Sequence, residues 1–116
     1  MIDVRSSTNT ILDSGEEFIG NPTKVGDLVR INVLTQADAA GTLCIEFSAD
    51  RVTWHCLKPF DVKVNRLEHI ESGLIGNWYR VRYINGTSAQ TVFWLVASTY
   101  YGQSVPIPTT PVPTPP

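Results

Sequence analysis

Apolar and polar residues alternate with a period of two along almost every long segment of this chain. That pattern fits half-buried strands and excludes a helical architecture. In 27–34, Val29, Ile31 and Val33 fall on one face and Arg30 and Asn32 on the other. In 60–64, Phe60, Val62 and Val64 oppose Asp61 and Lys63; in 78–84, Tyr79, Val81 and Tyr83 oppose Arg80 and Arg82. Segment 91–98 is apolar on both faces, with Phe93, Leu95 and Ala97 on one and Val92, Trp94 and Val96 on the other, as expected of a strand covered on both sides. A short strand is expected near 17–20, and 66–76 reads as a strand or loop. Turn-forming residues separate these runs, and no amphipathic helix alternates with them. The chain is therefore predicted to be all-β: an antiparallel β-sandwich of seven to eight short strands over 12–103. Its expected core includes Phe18, Val29, Ile31, Val33, Leu43, Ile45, Phe47, Trp54, Phe60, Val62, Tyr79, Val81, Tyr83, Phe93 and Leu95.

The two cysteines, Cys44 and Cys56, lie on what reads as one hairpin. Matching apolar to apolar pairs Phe47 with Val52, Ile45 with Trp54 and Leu43 with Cys56, around a four-residue loop, 48–51. In this register the cysteines face opposite sides of the sheet and are predicted to be free thiols, as in a reducing compartment. The N-terminal residues lack the charged and apolar regions of a signal peptide, so the expectation is a protein made in the cytosol without a leader.

A formal net charge of -2, with 9 Lys and Arg in 116 residues, argues against nucleic-acid binding. No apolar run is long enough to span a membrane as a helix. The chemistry-bearing residues are few. Cys44 and His55 would be cross-strand neighbours in the expected register, but without an orienting acid they read as a polar pair and not as a catalytic dyad. Cys44, His55 and His69 match no zinc spacing, and Asp38, Asp50 and Asp61 match no calcium loop. No catalytic, metal or cofactor site is predicted, and the chain is not expected to be an enzyme. Asn85-Gly86-Thr87 fits a glycosylation acceptor but reads as a hairpin turn with Gly86 at positive φ.

The ends differ from the body. Residues 1–11 are expected to form an extended N-terminal arm. Six of the chain's 8 prolines lie in 105–116, so 104–116 is predicted to be an extended tail in polyproline II form. Stiff arms lose little entropy on docking, which suits contact with another subunit. The residues expected to bind a partner are Trp94, Arg80 and Arg82, with Val105, Pro106, Ile107, Pro108, Pro111, Val112 and Pro113 of the tail.

Two blocks resemble small β-domains of tailed-bacteriophage virion proteins. The first carries Gly15, Phe18, Gly20, Asp38, Gly41, Thr42, Leu43, Ser48, Asp50 and Trp54; the second carries Trp78, Tyr79, Arg80 to Tyr83, Asn85, Gly86, Gln90 and Thr91. Arg51 stands where that family has a turn glycine. The resemblance implies a structural role in the virion, in heads, tails or fibres alike; a small body with two extended ends suits a clamp, so the expected role is that of a capsid decoration (cement) protein bridging neighbouring capsid subunits. The implied partners are the major capsid protein, other virion subunits and further copies of the chain. A tail, baseplate or fibre component is the nearest alternative. A carbohydrate-binding module using Trp78, Trp94 and Arg80 is the alternative from another class.

Overall fold

Nine strands follow one another between Glu17 and Tyr101 in the computed structural model, which describes residues 1–102: β1 (Glu17–Ile19), β2 (Thr23–Lys24), β3 (Leu28–Ala37), β4 (Gly41–Ser48), β5 (His55–Cys56), β6 (Phe60–Val62), β7 (Glu68–Gly73), β8 (Trp78–Asn85) and β9 (Phe93–Tyr101). They form two antiparallel sheets. In the larger, β8 and β4 are central; β1 and β2 pair with the free side of β8, and β5 and β6 with the free side of β4. The smaller has the order β7-β3-β9. The expected all-β sandwich is what the chain forms, and the ambiguous segment 66–76 supplies an edge strand.

The alternation read from the sequence fills the space between the sheets. Ile31 and Val33 from β3, Leu43 and Ile45 from β4, Tyr79, Val81 and Tyr83 from β8 and Leu95 from β9 are buried there. Tyr83 packs on Phe93 with ring centroids 4.7 Å apart. Three expected inward residues point elsewhere. Val29 is 49% exposed, because an irregularity between Leu28 and Arg30 inverts the alternation and sends Leu28 inward instead. Val64 is exposed, because β6 ends at Val62 and the chain turns at Asn65, φ 57°. Trp54 is half-buried, on the outer side of the larger sheet.

The expected hairpin register is also corrected. His55 pairs with Phe47 and Cys56 with Glu46. Val52, expected opposite Phe47, is 79% exposed. The loop is longer than four residues because its polar groups build their own structure. Ser48 Oγ accepts from the Asp50 and Arg51 N–H groups, and Asp50 Oδ1 accepts from those of Val52 and Thr53. Arg51 adopts the left-handed conformation, φ 66°, at the position where the phage domains have glycine. In this register Cys44 and Cys56 share a face as diagonal neighbours, Cα atoms 5.9 Å apart, and form a disulfide. Matching apolar residues failed as a guide because the loop, not side-chain burial, sets the pairing.

The N-terminal arm stays on its own sandwich. Ile2 and Thr8 bridge to Ser98 and Leu95 on the free edge of β9. Thr99 N–H donates to Met1 O at 2.8 Å, Asp3 N–H to Ala97 O at 2.8 Å, and Leu95 and Thr8 exchange both backbone bonds. The arm also reaches the other sheet, where the Tyr79 hydroxyl donates to Asp3 Oδ2 at 2.7 Å. The Pro-rich tail, 104–116, lies outside the described residues.

Candidate interaction surfaces

The outer face of the larger sheet holds Arg80 and Arg82, projecting between the buried residues of β8. Both are already engaged. Arg80 Nε lies 2.7 Å from Glu46 Oε1, and Arg82 bridges Glu17 at 2.6 Å and Glu46 at 3.5 Å. The pair with Glu17 raises the Arg82 guanidinium above its ordinary value. Trp54 covers Arg80, with Cζ 4.3 Å from the ring centroid, and Arg51 lies 4.5 Å from the Trp78 ring. The loop after β4 thus folds back across the sheet, which is why Cys44, Glu46 and Ser48 are buried although they face away from the core. The disulfide fastens the end of that loop. Cys44 therefore faces neither His55 nor His69 as a reactive thiol.

Trp94 lies on the opposite outer surface. It alternates with buried Phe93 and Leu95 on β9 of the smaller sheet, and β8 and β9 are not neighbours. Its surroundings are Val4, Ser7, Thr8 and Asn9 of the arm, with Val96, around a shallow hollow. The structure thus keeps Arg80 and Arg82 together and separates Trp94 from them. A sugar site combining Trp78, Trp94 and Arg80 is not formed. The tail residues Val105, Pro106, Ile107, Pro108, Pro111, Val112 and Pro113 lie outside the described residues.

A third surface was not anticipated. Where β7 faces β5 and β6 across the sandwich edge, the sheets leave an apolar groove of about 460 Å³. Ile45, Phe47, Phe60 and Ile70 line it, with Leu57 (63% exposed) and Ile75 (52%) beside them. It continues past Phe47, Leu57 and Ile75 into a second hollow near His55 and Gly76. Leu57 and Ile75 sit outside the alternating runs, so only their unexplained apolarity could have signalled it.

The Asn85 turn is structural, for a different reason than expected. Gly86 does not take a positive φ; a Cβ there would lie 2.7 Å from Ala40 O. Asn85 is buried, and its amide donates to the carbonyls of Leu12, Asp13 and Ser88, which removes it from any modifying enzyme.

With this architecture in view, residues 5–100 match the domain described as "Uncharacterised protein YqxG N-terminal domain". The chain belongs to this family. Among solved structures, the PBSX exported protein XepA superposes with a TM-score of 0.81 and 25% identity, over 89% of this chain and 38% of that one. The chain thus spans well under half of the length of XepA. PirA shares the fold, with a TM-score of 0.59 and 10% identity over 84% of this chain and 96% of its own. No curated protein matches significantly.

Proposed function

We propose that this chain is a non-catalytic attachment module of a phage-derived protein, working outside the reducing cytoplasm. The observation that carries this reading is the Cys44–Cys56 bond. Structural disulfides belong to oxidising compartments, and this one secures the loop that covers the outer face of the larger sheet. The likeness to XepA, an exported protein, favours the same setting. The reading replaces the expectation of a cytosolic protein with free thiols.

Capsid decoration is the finer form of the proposal. It draws on the phage-virion resemblance of the two sequence blocks. One of the two arms that made a bridging clamp attractive is spent on the chain's own β9, so bridging would fall to the tail and the sandwich surfaces.

The test is to express the full-length gene in its natural host, fractionate the culture and any phage particles, and block thiols before lysis. Oxidised protein in the particle or extracellular fraction is expected. Reduced protein confined to the cytosol would overturn the proposal. Copy number in purified particles, read by mass spectrometry, then separates the finer readings: hundreds of copies support decoration, and a few tens or fewer replace it with a tail part.

A further inference from the structure

The apolar groove runs beside an unpaired backbone edge. Leu74 N–H donates to Val29 O at 2.9 Å, and the register sets Ser72 opposite Ile31 and Ile70 opposite Val33. By the alternation of an antiparallel ladder, the peptide groups of Ile70 and Ser72 point toward β3 and those of His69, Glu71 and Gly73 point away. Among the described residues no strand pairs with that outward side. On the opposite side of the sandwich, the edge of β9 is covered by the N-terminal arm, which is expected to be extended throughout but bridges at Ile2 and Thr8 on either side of a 3-10 turn at Val4–Ser6.

We propose that the free edge of β7 takes Val105–Thr109 of a second copy of this chain as an added strand. The sequence Val105-Pro106-Ile107-Pro108-Thr109 has the grammar of an edge strand. A strand at an edge bonds to its sheet through every second residue, so Val105, Ile107 and Thr109 can all face β7 with intact N–H groups. The prolines then occupy the positions whose N–H would point away, where nothing is lost. Either alignment puts apolar groups over the groove. A parallel strand turns Val105 and Ile107 inward, and an antiparallel one turns in the proline rings. The prolines also deny a template to any further strand, so addition stops at one.

For a strand that begins at Val105, reach makes the donor another copy. Gly102 N–H is tied to Asp27 O at 3.1 Å, at the end of β9. The position beside β7 lies three strand spacings from β9, about 14 Å. Even fully extended, Val105 cannot lie more than about 11 Å from Gly102. Reciprocal exchange between two copies closes a symmetric dimer. The inference does not rest on the compartment or the attachment role.

Sedimentation of the full chain over a wide concentration range tests it. A reversible dimer is expected, and removing 103–116 should leave a folded monomer. Ile107→Pro is the sharper variant: it removes one bonding N–H while keeping the proline-rich character, and it should weaken dimerisation by about tenfold or more. Glu71→Pro should do the same from the acceptor side by removing an outward N–H of β7. A tail-deleted chain mixed with the Glu71→Pro chain should form a one-to-one complex, since each keeps the half the other lacks. If Glu71→Pro fails to fold, Ile107→Pro still decides, because it lies outside the sandwich. A full chain that stays monomeric, a dimer that survives tail removal, or an Ile107→Pro dimer as tight as the original would each overturn the proposal.

Discussion

The two lateral edges of this sandwich are finished in different ways. Along β9 the edge is closed by the chain's first residues, which bond to the backbone of one sheet and, through Asp3 and Tyr79, to a side chain of the other. Along β7 no described segment does this. The strands opposite, β5 and β6, have two and three residues, and a covalent bond holds β5 to β4. Strands that short contribute little pairing energy of their own. A sandwich edge can thus be secured by a long run of backbone bonds or by a staple, and the stapled edge is the one that keeps apolar surface uncovered.

Replacing Cys44 and Cys56 with serine should have the largest effect. For a sequence separation of 12, loop entropy predicts a loss of about 3 kcal/mol. Denaturant titration measures it, and hydrogen exchange should show the loosening confined to β5 and the loop over Arg80. If the arm edge loosened equally, the two edges would form one cooperative unit. Removing residues 1–8 should cost less, about 2 kcal/mol, because the exposed β9 edge recovers water for its lost bonds. Its hydrogen-exchange signature should be the reverse, with β9 affected and β5 protected.

Trp54→Ala should cost about 1 kcal/mol, through its contact with Arg80, and not the several kcal/mol of a core tryptophan. A larger loss would mean that the loop is integral to the fold. The smallest effect concerns acid. Asp38 accepts from the Thr91 hydroxyl and from the N–H groups of Thr91 and Val92, which lowers its pKa from 3.8 to about 2. A depressed carboxylate contributes stability that is present above 3.8 and is lost as the pH falls toward about 2. Asp38→Asn should therefore flatten that part of a melting-temperature profile and leave its alkaline side unchanged.

The strands were legible because burial on one face leaves a period-two record, as at Tyr79, Val81 and Tyr83. What escaped were features set by single backbone events. The irregularity at Val29 exchanged the faces of Leu28 and Val29 without altering the composition of the segment. The left-handed Arg51 and the Ser48 and Asp50 side chains reset a hairpin whose residues, read in pairs, indicated another register. The disulfide was lost with that register. The arm could not be foreseen on β9, since its residues carry no alternation. Arg80 and Arg82 were correctly assigned to one outward face, but their partners Glu46 and Glu17 come from strands whose pairing the sequence does not disclose.

The hydrogen bonds between Met1 and Thr99 join residues 98 apart in sequence. They impose an order of events on biosynthesis. While only the first 92 residues have emerged, β3 lacks its partner on one side and the arm has no strand to bind. Pairing of such distant segments is slow, because the loop must close before any contact rewards it. The larger sheet and the β3–β7 pair need no residue beyond 85, but the far side of β3 and the arm stay unpaired until residues 93–101 appear. Completion of one C-terminal strand then fixes the centre of the smaller sheet and the arm together.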